Sequence, residues 1–96
     1  MRRSQTLNIS EIISSLLKDQ GLEEKLYENR LMNSWETVLG KMISKYTRSM
    51  YIKDRVLFVN LTSPVVKNEV MMIRDELVKR LNEKAGKNVI DKIVLR

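Results

Sequence analysis

Ser34-Trp35-Glu36-Thr37-Val38-Leu39-Gly40-Lys41-Met42-Ile43-Ser44-Lys45-Tyr46 is the stretch around which the chain is organised. Trp35, Val38, Leu39, Met42, Ile43 and Tyr46 recur at i, i+3, i+4, i+7, i+8 and i+11, the spacing of one continuous apolar face on an α-helix. Trp35 is the only tryptophan, and a buried indole removes more surface from water than any other side chain here. The helix therefore reads as the centre of the core, with Trp35, Val38 and Leu39 inside and Asn33 or Ser34 as its cap. It is expected to run through Gly40 at a cost of about 1 kcal/mol relative to Ala, and a glycine there implies that another backbone comes close. From Thr47 onward the apolar period changes from 3.6 to two, which divides a helical half from a sheet-containing half.

Upstream, Asn8 is an N-cap with Glu11 in capping-box position, and Ile9, Ile12, Ile13, Leu16 and Leu17 follow at helical spacing until Gly21. A second helix spans Leu22 to Leu31, with Leu22, Leu26, Tyr27 and Leu31 set against Glu23, Glu24 and Glu28.

Downstream, Arg48 to Lys53 and Val56 to Thr62 read as strands joined by the two-residue turn Asp54-Arg55. That turn pairs Ile52 with Leu57, Tyr51 with Phe58 and Met50 with Val59. Met50, Ile52, Leu57, Val59 and Leu61 form the better apolar set and are expected to meet the helices. Tyr51, Phe58, Asn60 and Lys53 then look outward. Thr62-Ser63-Pro64 starts a helix, a hydroxyl cap followed by Pro where its missing N–H costs nothing. This helix is predicted to reach Ala85 with Val66, Val70, Ile73, Leu77 and Leu81 buried, and Gly86 ends it. Asn88 to Leu95 is the last strand, with Val89, Ile93 and Leu95 on one face and Ile90 and Val94 on the other. The order is α-α-α-β-β-α-β in an α+β fold. A crossover helix makes the second and third strands parallel, giving a mixed three-stranded sheet with helices on one face.

Ninety-six residues with 43% hydrophobic content form one domain, residues 1–96. With no Cys and no His, the chain lacks thiol and imidazole chemistry and the usual zinc ligands. No metal, cofactor or enzyme activity is expected. Gly40-Lys41 and Gly86-Lys87 have Trp35 and Leu81 where a phosphate-binding loop needs its first glycine. No apolar run approaches the ~18 residues of a membrane span, and Met1-Arg2-Arg3-Ser4 leads into a polar segment, so the expected setting is cytoplasmic with no membrane contact.

Net charge is +6. Residues 1–47 carry 7 Lys/Arg against 6 Asp/Glu, or +1, and residues 48–96 carry 11 against 6, or +5. A basic surplus on the sheet half points toward nucleic acid, an acidic partner or an anionic surface. Tyr51 and Phe58 on an open sheet face are the residue types that stack unpaired bases. Arg48, Lys53 and Arg55 surround them, and Lys41 and Lys45 edge the tryptophan helix. The competing reading is that the first helix or a second subunit covers this aromatic pair. Lys67, Arg74, Lys79, Arg80, Lys84 and Lys87 alternate with Glu69, Asp75, Glu76 and Glu83, the pattern of an ordinary solvated helix face.

Trp35-Glu36-x-Val38-Leu39-Gly40-x-Met42-Ile43-x-x-Tyr46-Thr47, Val56-Leu57-x-Val59-x-Leu61-x-Ser63, Asn68-Glu69-Val70, Leu81-Asn82 and Val89-Ile90-x-x-Ile93 together resemble the DciA-like family of bacterial proteins, from about residue 7 to 95. The resemblance implies a K-homology-like domain. It also implies a non-catalytic adaptor of bacterial DNA replication that binds the replicative DNA helicase and weakly binds single-stranded DNA. Two departures limit what is carried over. There is no Gly-x-x-Gly loop, so the K-homology grip on four nucleotides is not expected. The sequence stops at Arg96, whereas helicase-acting members commonly carry a disordered basic extension, so contacts made by such an extension are not expected of these residues. Zinc-ribbon additions of some relatives need cysteines that are absent here. The alternatives are a protein-interaction or homodimerisation module that works through Tyr51 and Phe58 without nucleic acid, and, ranked below DNA binding, an RNA-binding domain.

Overall fold

The computed structural model describes residues 9–13 and 21–96. Residues 9–13 are helical, as expected, while Asn8, Leu16 and Leu17 lie outside the described residues. The remaining elements are α1 (Glu23–Asn33), α2 (Trp35–Leu39), α3 (Lys41–Ser44), β1 (Thr47–Lys53), β2 (Val56–Leu61), α4 (Pro64–Met72), α5 (Arg74–Ala85) and β3 (Lys92–Leu95). The fold is α+β, with a mixed sheet in the order β1-β2-β3, an arrangement compatible with the K-homology-like expectation.

The hairpin follows the predicted register, with Met50 opposite Val59, Tyr51 opposite Phe58 and Ile52 opposite Leu57. Its turn has Asp54 at φ 51° and Arg55 at φ 65°, and two left-handed residues in succession match the strand twist as a type I′ turn does. Arginine is an uncommon occupant of that conformation, and its surroundings hold it there. The guanidinium donates from Nε and Nη2 to the two carboxylate oxygens of Asp91 at 3.0 and 2.9 Å, and from Nη1 to the carbonyl of Asn88 at 3.0 Å. The Arg55 carbonyl accepts from the Asp91 amide at 2.8 Å. This clamp ties the turn to the segment entering β3, which runs parallel to β2 with Leu57 beside Ile93 and Phe58 beside Val94.

The inward sheet face supplies Leu57, Val59, Ile93 and Leu95, which pack with Leu31, Trp35, Val70, Leu77, Leu81 and Ala85 from the helices. Met50, Ile52 and Leu61 pack against this cluster from its border, as do Val38 and Leu39. Ser63 caps α4 by accepting from the Val66 amide at 3.3 Å, with Pro64 at the first helical position. Gly86 ends α5 at φ 87°, the left-handed position where glycine avoids a Cβ clash.

Several expectations are corrected. The tryptophan helix does not run through Gly40, which sits at φ 90°, ψ 160° and separates α2 from α3. The open space around Gly40 shows that no neighbouring backbone demands the glycine; its conformation does, since that region is essentially closed to residues with a Cβ. The break takes Met42 and Tyr46 off the core, leaving them 73% and 37% exposed, while Ile43 still packs against it. Gly40→Ala is expected to destabilise the protein by about 1–3 kcal/mol, read as a lower urea midpoint; an unchanged midpoint would mean that α2 and α3 merge at little cost. Ser34 is not a side-chain cap, because it is already αR and its hydroxyl donates to the Leu31 carbonyl at 2.7 Å.

The long crossover helix is two helices, broken at Ile73 (φ −113°, ψ 17°), which turns outward at 45% exposure instead of joining the buried stripe. The last strand begins at Lys92, and Ile90 is buried at 1%, not outward. Asn82 is the reason. Its side-chain oxygen accepts from the amides of Val89 and Ile90 at 2.9 and 3.1 Å, and its nitrogen donates to the Ile90 carbonyl at 3.0 Å. These bonds hold the segment as a loop in place of a strand ladder.

Candidate nucleic-acid interface

Because Leu57, Val59, Ile93 and Leu95 point inward, alternation sends their neighbours to the opposite face. The register then builds this outward face row by row. Lys53 lies beside Val56 and Lys92, and Tyr51 lies beside Phe58 and Val94. Ser49 lies beside Asn60, whose side-chain nitrogen donates to the Ser49 hydroxyl at 2.8 Å. Arg96 continues the parallel ladder beyond β3, donating its amide to Val59 at 2.9 Å and accepting at its carbonyl from Leu61 at 3.0 Å.

Tyr51 and Phe58 stack with ring centroids 4.8 Å apart and planes at 15°. The Arg96 guanidinium lies 4.9 Å from the Phe58 centroid. It comes from the β3 side, whereas Tyr51 comes from β1, so Phe58 is sandwiched between them. Three side chains thus form one stack across the strands, and cation–π attraction secures its third layer. Both faces of Phe58 are occupied. The outer ring face of Tyr51, which is 44% exposed, and the outer plane of the Arg96 guanidinium remain for a ligand. Lys53, Lys92 and Arg96 are exposed around the stack, and the outward residues of the three strands include no carboxylate.

The structure therefore brings together Tyr51, Phe58 and Lys53 of the sequence-predicted residues, and adds Lys92 and Arg96, which sequence reasoning missed. Parity from Ile93 would have found both. Arg48 falls in the irregularity between Thr47 and Ser49 and lines a separate shallow groove with Trp35, Glu36 and Thr47. Lys41 and Lys45 are exposed beside Met42 and Tyr46, away from the tyrosine–phenylalanine row. Arg55 is engaged by Asp91, whose carboxyl it holds below the usual range through their hydrogen bonds, while its own guanidinium is correspondingly raised. An arginine with this fork already filled has little charge left for phosphate.

Among the described residues, no three His, Cys, Asp or Glu side chains are grouped to hold a metal ion, and no helix is long and apolar enough to cross a membrane.

No solved structure matches this chain. A curated relative, the UPF0232 protein of Corynebacterium glutamicum (strain R), is 22% identical over 86 residues, covering 90% of this chain and 48% of the relative. The chain thus spans about half the length of the curated relative it matches. The family model described as "Dna[CI] antecedent, DciA" matches residues 8–95, so the chain belongs to the DciA family, which its name associates with bacterial DNA replication.

Proposed function

We propose that this protein is a non-catalytic adaptor of bacterial DNA replication that binds the replicative helicase and makes weak contact with single-stranded DNA through the open face of its sheet. Family membership supports the helicase contact. The DNA contact rests on one observation: an exposed Tyr51–Phe58–Arg96 stack bordered by Lys53 and Lys92, with no carboxylate among the outward residues of the three strands. One base can lie on the outer face of Tyr51 while the lysines and Arg96 meet phosphates on either side. A single free aromatic face limits the gain to about 1–3 kcal/mol from stacking, so most of the affinity comes from counterion release and falls as salt rises.

The test is a salt titration of binding to a fluorescent single-stranded oligonucleotide. Lys53→Ala and Lys92→Ala should each reduce the log–log salt slope by about 0.7. Tyr51→Ala should weaken binding while leaving the slope unchanged, because stacking releases no counterions. An RNA oligonucleotide of the same sequence, used as competitor, separates DNA from RNA preference. Absence of binding at low salt would remove nucleic acid from the reading. Helicase contact is checked separately, by co-purification with the purified replicative helicase of the source organism.

A further inference from the structure

β1 is an edge of the sheet, and the hydrogen bonds of β2 show which of its backbone groups are open. Arg96 donates to the Val59 carbonyl and accepts from the Leu61 amide, so Val59 and Leu61 turn their backbone groups toward β3. By alternation Phe58 and Asn60 turn theirs toward β1. Their opposites, Tyr51 and Ser49, spend their amides and carbonyls on β2, which leaves those of Met50 and Ile52 pointing out of the sheet. Among the described residues nothing bonds to these groups. β1 runs for seven residues without a proline, and natural sheets guard or pair an edge of that kind.

We infer that the open edge of β1 pairs with β1 of a second copy of this chain, antiparallel about a two-fold axis at Tyr51, so that the two sheets become one. In this register the N–H and C=O of Met50 meet those of the partner's Ile52, and the reverse, so every open group of the edge is used. Centring the axis on Met50 would set Ile52 against the bulge at Arg48, and centring it on Ile52 would set Met50 against the turn at Asp54. Tyr51 then faces the partner's Tyr51, and its exposed outer ring face is covered by an aromatic cross-strand neighbour, a pairing that stabilises sheets. Lys53 comes opposite the partner's Ser49, and Arg48 comes level with the partner's Asp54. Neither Arg48 nor Asp54 has an ion-pair partner among the described residues, so the two ends of the edge are complementary in charge across the axis. The other edge is not self-complementary. There the open residues are Ile93 and Leu95, and the same pairing sets Lys92 against the partner's Arg96, like charges that repel. Two β1 edges also close on themselves, whereas β1 against β3 would propagate into a fibre. The partner's tyrosine takes the ring face proposed for a base, so the dimer and single-stranded DNA exclude one another at Tyr51.

Sedimentation equilibrium of the full chain without nucleic acid, at low salt and up to millimolar concentration, tests this apart from the DNA reading. Wild type should dimerise as concentration rises. Arg48→Asp, at an exposed residue, should weaken the dimer about tenfold with unchanged circular dichroism, because it sets acid against acid at both ends of the paired strands. The chain has no native cysteine, and facing residues of a closely spaced antiparallel pair, with Cα atoms about 4.5 Å apart, lie within the span of a disulfide. Tyr51→Cys should therefore cross-link to itself under mild oxidation. Lys53→Cys should not, since Lys53 opposes Ser49, but it should cross-link when mixed with Ser49→Cys. A wild type monomeric throughout the range overturns the inference. So does a dimer that Arg48→Asp leaves as tight as wild type, or one in which Tyr51→Cys cross-links no faster than Lys53→Cys.

Discussion

Trp35→Ala is expected to leave much of the protein unfolded in buffer. The indole is 2% exposed and sits where α2, the inward sheet face and the start of β1 converge, with its Nε1–H donating to the Thr47 hydroxyl at 2.9 Å. Truncating a buried aromatic to Ala costs about 3–5 kcal/mol, because the transfer free energy is lost and the cavity closes only partly. At about 0.05–0.15 kcal/mol per residue, a chain of this length has roughly 5–14 kcal/mol in all, so the loss takes a large part of it. Trp35→Phe separates packing from the hydrogen bond: it keeps an aromatic in the site and should lose about 1 kcal/mol with the N–H donor. Since the variants lose the only indole, the transitions are followed by far-ultraviolet circular dichroism in urea. A Trp35→Ala melt close to wild type would mean that α2 repacks without its anchor.

What the sequence made legible is local. The two-residue turn Asp54-Arg55 leaves one register for the hairpin, and alternation then sorts Leu57 and Val59 from Tyr51 and Phe58. Ser63-Pro64 and Gly86 mark helix ends through their own covalent chemistry. The breaks at Gly40 and Ile73 were not legible, because the apolar period continues across both. At Gly40 the signal was a glycine that a helix tolerates for about 1 kcal/mol. At Ile73 no breaker residue is present at all, and the turn answers to where α4 and α5 must pack. The candidate site was half legible. Tyr51, Phe58 and Lys53 follow from the hairpin alone. Lys92 and Arg96 do not follow from the hairpin but from parity counted from Ile93 along β3, whose start a buried loop displaces by several residues. The engagement of Arg55 depends on Asp91, 36 positions later, which no local pattern reveals.

That displacement rests on Asn82, a polar side chain on an otherwise apolar helix stripe, and replacing it should be felt far beyond its own position. It is 8% exposed and makes three hydrogen bonds, two to amides and one to a carbonyl of the loop before β3. In Asn82→Ala the amides of Val89 and Ile90 and the carbonyl of Ile90 lose that partner while their side chains stay buried at 3% and 1%. Each buried polar group left unsatisfied costs about 1–3 kcal/mol; partial relaxation of the loop brings the expected total to about 2–4 kcal/mol, or a fall in Tm of roughly 10–25 °C for a domain of this size. The loop also carries Asp91 and Asn88, which hold Arg55, and it feeds β3, which leads into Arg96. The same substitution should therefore raise hydrogen exchange at Val89 and Ile90 first, then loosen the turn at Asp54-Arg55, and weaken single-stranded DNA binding even under conditions where the protein remains folded. Asn82→Gln should not rescue it, since the longer side chain misplaces both ends of the amide by more than a hydrogen bond tolerates. An Asn82→Ala protein that melts within a few degrees of wild type, with the Val89 and Ile90 amides still protected, would show that burial of those two side chains holds the loop without the amide.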